Sequence, residues 1–176
     1  MASPIDRNQV DRLVVEHLPA VLRFALRLTG DEHAAEEVVQ ETLCRVLNRW
    51  RSFRGDAAFK TWMLQIVVNV DRDRRRRRPF QPLPPESEAR GSTEAADQAV
   101  VAETKNTIRA AIDQLPERQR EVALLSFGEG LAAGEIAQVL EISDANVHSC
   151  LHLARKRIAQ AIGFDYTIHK FDSSHN

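Results

Sequence analysis

Cysteine, glycine and proline are all scarce in this chain of 176 residues, which contains two, seven and seven of them. Cys44 and Cys150 lie far apart, and two such cysteines without an export signal do not suggest a disulfide framework. The simplest reading is a reduced, cytoplasmic setting with both thiols as ordinary helix residues. Purely apolar runs last only a few residues, as in Ile66-Val67-Val68, whereas a bilayer span needs about 20. The opening segment MASPIDRNQVDR carries charge where a secretory signal has its apolar stretch. Membrane insertion, secretion and a collagen-like architecture are therefore not expected. What is present is 43% apolar residues, enough for a core, in a length suited to one ordinary domain or two small ones.

The formal net charge of −1 conceals an uneven distribution. Residues 1–78 carry net +4, residues 79–100 net −3 and residues 101–176 net −2. Arg72 and the run Arg74, Arg75, Arg76, Arg77 and Arg78 hold six of the fifteen cations in the first segment. Such a block suits a polyanion, although a solvated tail is the commoner fate of a charge run.

The apolar spacing is helical throughout, so the fold class expected is all-α. Leu13, Val14, Leu18, Val21, Leu22, Ala25 and Leu28 mark the inner face of a first helix. Gly30 is placed to end it and Asp31 to cap the next, which runs from about Glu32 to Trp50 with Ala35, Val38, Val39, Leu43, Val46 and Leu47 inward. Asp56 is placed to cap a third helix, carried by Phe59, Trp62, Met63, Ile66, Val67 and Val70. Residues 79–93 contain four prolines and read as a flexible linker. Helical pattern resumes over 94–114, restarts with Pro116 in a first turn and continues to Gly128. A short helix over 133–140, a tight turn at 141–143 and a longer helix over 144–162 follow. The expected organisation is a domain at 1–78, the linker at 79–93, a second domain at 94–163 and a tail at 164–176 without clear period.

The short helix, turn and longer helix have helix-turn-helix proportions. Ile136, Ala137, Leu140, Ile142, Val147 and Leu151 point inward, and Ser143 caps the second helix. Its first turn is open to a phosphate. Outward residues Asp144, Asn146, His148, Ser149 and His152 are of types that reach base edges, and Arg155, Lys156 and Arg157 of types that hold a DNA backbone.

The stretch LPERQREVALLSFGEGL followed by EIAQVLEISDANVHSCLHLARKRI resembles region 4 of bacterial sigma factors, which binds the promoter −35 element. LRFALRLTGDEHAAEEVVQETLCRVLNRWRSFRGDAAFKTWMLQIVVNVDRDRRRRR resembles region 2. The short separation and the lack of other regions point to the extracytoplasmic-function (ECF) group. The resemblance implies a specificity subunit that binds core RNA polymerase, recognises −35 and −10 elements and helps open the promoter. It implies no catalytic residue, cofactor or metal. The partners implied are the β′ coiled coil and β flap of the polymerase, promoter DNA and an anti-sigma factor that wedges between the domains. The family's polymerase-docking helix corresponds to Glu36, Glu37, Val39, Gln40, Glu41 and Arg45 here; without the resemblance, these would read as a solvated acidic face. The −10 element falls to Arg51, Phe53, Arg54, Lys60, Thr61, Gln65, Asn69, Arg72, Arg74, Arg75 and Arg76, the types needed to hold an extruded base and its phosphates. Trp50 and Trp62 fall on apolar registers and read as core. The −35 duplex falls to Arg118, Arg120, Ser143, Asp144, Asn146, His148, Ser149, His152, Arg155 and Lys156.

The chain also departs from the family. Glu141 stands where Gly is usual in the turn, and His148, Cys150 and Leu153 stand where cations are common. These departures motivate an alternative, a sigma-like protein with weakened promoter recognition that acts by binding partners. A metal site at His148, Cys150 and His152 is a further alternative, disfavoured because Cys150 sits about 200° around the helix from His148. Two bodies strung on a loose tether, with the arginine ridge open, complete the expectation.

Overall fold

The computed structural model describes residues 5–55, 57–77 and 96–163, with only the backbone of 96–102. The expected linker at 79–93, the tail at 164–176 and the Asp56 cap lie outside the described residues, within which no strand occurs.

Asp6 starts helix α1 (Arg7–Thr29) by accepting the Gln9 backbone N–H at 2.8 Å, while the Gln9 side chain accepts the Asp6 N–H at 3.1 Å. This reciprocal box starts the helix ahead of Leu13, where the apolar period begins. Pro19 lies inside α1 and is exposed, so the carbonyl it leaves without a helical donor can face water. Gly30 ends α1 at φ +70°, and Asp31 caps α2 (Glu32–Arg49) by accepting the Ala34 N–H at 2.7 Å. One 3-10 turn at Trp50–Ser52 follows, then α3 (Phe59–Arg77). These three helices pack together as the first unit.

The second unit comprises α4 (Ala96–Asp113), α5 (Glu117–Ala123), α6 (Ala133–Leu140) and α7 (Asp144–Ala161). Pro116 occupies the cap position before α5 rather than its first turn. The expected continuation to Gly128 is one π-helical turn, Leu124–Gly128. The wider turn buries Leu124 and Leu125 but leaves Phe127 46% exposed. Leu22 and Leu47, expected inward, are likewise exposed, because the inner stripes of α1 and α2 are narrower than their apolar patterns.

The two helical units do not stand apart. Phe24, Met63, Leu64 and Val67 of the first share one apolar interior with Val122, Leu125, Ile136 and Leu140 of the second. α6 lies along α3, and the turn after α5 rests on α1. The expectation of two bodies held only by a tether is thus corrected. Each unit has apolar surface left over after its own helices pack, and burying it together is favourable at about 25 cal/mol per Å2.

This shared interior should make urea unfolding a single transition. Phe24→Ala should lower stability by about 3–5 kcal/mol. Two separate transitions, with only the first moved by the substitution, would show that the cores are independent.

Candidate nucleic-acid interface

α2 presents the acidic strip as the sequence suggests. Val38 and Val39 are buried, and Glu36, Gln40 and Glu41 are exposed beside them. Glu37 is half-buried, with His33 Nε2 3.5 Å from its carboxylate. Arg45 is held at the strip's end by Glu41 at 2.7 Å and by Asp73 of α3 at 3.1 Å. The hydrogen bond to Glu41 is the largest influence raising its pKa above the usual arginine value. The second unit supplies no partner in any of these pairs.

The segment after α2 builds an aromatic cluster. Phe53, Phe59 and Trp62 pack with ring centroids 5.2–5.4 Å apart, and Trp50 packs half-buried against the core. Trp50 and Trp62 thus serve the interior, as their registers suggest. The Arg51 guanidinium lies 4.7 Å from the Trp50 ring centroid, a cation–π contact. Phe53, Arg54, Thr61, Trp62 and Gln65 line a groove of about 300 Å3, whose far wall is Gln138 and Val139 of α6. An aromatic floor with amide and hydroxyl groups at its edge is the chemistry a flipped base requires.

Along α3 five of the donors expected to meet DNA are spent on the second unit. Lys60 Nζ lies 3.0 Å from the Glu129 carboxylate and donates to its backbone carbonyl at 3.1 Å. Thr61 donates to Glu135 at 3.1 Å, and Gln65 to Glu141 at 3.2 Å. Arg72 grips Glu121 with two hydrogen bonds of 2.9 and 2.7 Å, which raise its pKa further above the ordinary value. Arg75 donates to Glu117 at 3.1 Å and to the Leu28 carbonyl at 3.3 Å, and also pairs with Asp71. Arg74 folds back on Asp71 at 2.9 Å and Arg76 on Asp73 at 2.9 Å. Asn69 is half-buried in the same helix. Two members of the ridge expected to be open, Arg72 and Arg75, are therefore occupied by the second unit, which corrects the sequence reading at those positions, while Arg76 and Arg77 stay exposed.

Two residues expected on the −35 side also turn to this interface. Arg118 reaches Glu121 at 3.2 Å, and Arg120 donates to the Leu28 carbonyl at 2.9 Å. Burial and, next, the positive charge of Arg75 hold the Arg120 pKa below the usual arginine value. Its Nε is buried with no hydrogen-bond partner.

The helix-turn-helix matches its expected geometry. Ser143 caps α7, accepting the Asn146 N–H at 3.3 Å. Asp144, Asn146, His148, Ser149, His152, Arg155, Lys156 and Arg157 are all exposed. Leu153 is 44% exposed, and the Arg155 guanidinium lies 5.8 Å from the Phe127 ring. Cys150 packs against the core, so it does not share the outer face of His148 and His152. Among the described residues no three His, Cys, Asp or Glu side chains gather into a possible metal site, and no helix is long and apolar enough to cross a membrane.

The sequence reading missed Glu117, Glu121, Glu129, Glu135 and Glu141 as partners of α3. Their only sequence signal is the negative net charge of the C-terminal segment facing the positive N-terminal one, and charge balance does not specify which helix meets which.

Glu141 adopts φ +56°, the left-handed turn conformation. That conformation costs a residue with a Cβ about 1–2 kcal/mol, partly offset by the chain entropy a glycine would lose. Glu141→Gly should therefore stabilise the fold by about 0.5–1 kcal/mol in urea unfolding. A loss of stability would show that the Gln65 contact outweighs the backbone strain.

Comparison with known proteins agrees with this layout. Residues 13–79 match the family model for sigma-70 region 2, and residues 105–158 that for sigma-70 region 4. The chain is 30% identical over 169 residues to the RNA polymerase sigma-H factor of Pseudomonas aeruginosa, covering 89% of this chain and 88% of that protein. It is 34% identical over 145 residues to the ECF RNA polymerase sigma factor SigL of Mycobacterium tuberculosis, covering 79% and 80%. Among solved structures, the sigma factor RpoE from Bartonella quintana, crystallised with the anti-sigma factor NepR, aligns with a TM-score of 0.69 at 21% identity, over 88% of this chain and 97% of that one. CnrH, in complex with the cytosolic domain of CnrY, aligns at 0.65 and 23% identity over 90% of each chain. At such identities these two structures show a common fold.

Proposed function

Because this chain belongs to the ECF group of the sigma-70 family of RNA polymerase sigma factors, we propose that it mounts on core polymerase through α2 and reads a promoter with α3 and α7. Sigma factors as a family bind RNA polymerase and direct it to promoters. For this chain, residues 1–78 act as region 2 and residues 94–163 as region 4. The strip Glu36, Glu37, Val39, Gln40, Glu41 and Arg45 meets a basic coiled coil of the β′ subunit, and region 4 meets the β flap. The loop at 50–55 and the donors of α3 hold an extruded −10 base and its phosphates. The outer face of α7 lies in the −35 major groove, with Arg155 and Lys156 on its backbone. No covalent chemistry, cofactor or metal takes part, the site of action is the cytoplasm, and an anti-sigma factor is the expected regulator.

One observation supports the −10 assignment above the rest. Lys60, Thr61, Gln65, Arg72 and Arg75 all face carboxylate oxygens. A surface that satisfies so many anionic acceptors is built for anions, and guanidinium groups serve carboxylate and phosphate alike. The same occlusion favours, as a second reading, a sigma-like protein that binds polymerase without initiating selectively.

Run-off transcription with purified core enzyme on genomic templates separates the two. The first reading gives discrete promoter-dependent products, whereas core binding with no selective product supports the second. Reversing charge in the strip (E36K/E41K) should weaken core binding by about tenfold or more, consistent with loss of complementary charge at a docking surface. Unchanged affinity would remove α2 from the polymerase interface.

A further inference from the structure

We propose that the second unit is an internal substitute for promoter DNA, and that its carboxylates latch the free chain shut over its own −10 surface. The proposal rests on the reading of α3 as the −10 surface. Five side chains assigned to that surface, Lys60, Thr61, Gln65, Arg72 and Arg75, each meet a different glutamate: Glu129, Glu135, Glu141, Glu121 and Glu117. The pairs run from the first turn of α3 almost to its end, so the second unit covers nearly the whole helix.

These contacts form a built interface. Both cationic partners of Glu129, Lys60 and Arg27, come from the first unit, and its side chain is 3% exposed. The Glu121 side chain, 2% exposed, sits between Arg72 of α3 and Arg118 of its own helix. Carboxylates are rarely buried to this degree unless paired, so opening the units must rehydrate Glu129 or give it a new cation. Glu135 is held in place by its other oxygen, which accepts the Ala132 N–H at 3.0 Å while the first meets Thr61. Gln65 uses its one amide nitrogen on both Glu141 and the Gln138 carbonyl. Five of the donors assigned to a single strand are thus engaged, while Arg51, Arg54 and Arg76 stay exposed, and α6 walls off the groove beside Phe53 and Trp62.

The latch is also releasable. Arg120 is held at the interface with its Nε unpartnered, close to the like charge of Arg75, and both arginines share the Leu28 carbonyl. This crowding works against closure. A strand of phosphates offers the same acceptors as the five glutamates without requiring a buried arginine, so DNA competes directly with the second unit for α3. Polymerase, by holding the two units apart, would shift the same equilibrium.

The test uses the full chain in two arms. In the first, E117Q/E121Q and, separately, E129Q remove the charges that grip α3. Small-angle scattering should show both variants expanded relative to the parent chain while helicity by circular dichroism is retained. Unchanged dimensions in both would overturn the latch. In the second arm, with Cys44 and Cys150 replaced by serine, R27C/G128C is joined by a short bis-maleimide. A Cβ built at Gly128 lies 2.8 Å from the Arg27 guanidinium, and neither position belongs to the proposed DNA or polymerase surfaces. Cross-linking should abolish run-off product that the same variant gives before cross-linking, and E117Q/E121Q should raise product at limiting protein by roughly threefold or more as the competent fraction grows. Full activity of the cross-linked chain would overturn the proposal. If the parent chain yields no promoter-dependent product, the promoter reading has failed, and the scattering arm still decides whether the glutamates hold the units closed.

Discussion

The pairing of glutamates on one helical unit, three of them buried or half-buried, with a row of donors on the other is the constraint around which this structure is organised. Glu121 held by Arg72, and Glu129 held by Lys60 and Arg27, fix where α5 and α6 lie along α3. Apolar burial is non-directional, so the contacts of Met63, Leu64, Leu125 and Ile136 specify which partner atom meets which less sharply than a charged pair does. Charged pairs are exacting, because a buried carboxylate left without its cation is strongly destabilising. Register and occlusion thus follow from the same contacts.

The closed packing also separates the surfaces of the chain by availability. Glu36, Gln40 and Glu41 on α2 and the outer face of α7 remain exposed, whereas Thr61, Gln65 and Arg72 of α3 are engaged. A chain in this state can present the strip proposed to dock on polymerase while much of the proposed single-strand surface is covered. On the proposed latch, recognition of DNA is tied to a change in how the two units sit, and the glutamates set the free-energy balance of that change.

Much of this was legible from residue order. Gly30 ending α1, Asp31 capping α2 and Ser143 capping α7 were readable because capping chemistry is local, and the inner residues of the helix-turn-helix because one face of a short helix is unambiguous. The box at Asp6 and Gln9 was equally local and extends α1 two turns beyond its apolar pattern. Leu22 and Leu47 were misplaced because period alone does not say how wide a buried stripe is, and the π-turn after α5, which leaves Phe127 exposed, breaks the period there. The contact between the units had no local signature. Arg72 and Glu121 are 49 residues apart, across a linker whose length leaves the pairing open, and a row of arginines reads equally well as a face for DNA or a face for glutamates. Here Arg72 and Arg75 serve the second, with the chemistry required for the first.

Cys44 is exposed on the first unit and Cys150 is half-buried on the second, so spin labels at these native positions report the distance between units directly. A chain held closed by its own carboxylates gives one narrow, short distribution when free, moving to longer distances when core polymerase and a promoter fragment are added. A broad or long distribution in the free chain, unchanged by those additions, would contradict the claim that its own carboxylates hold it closed.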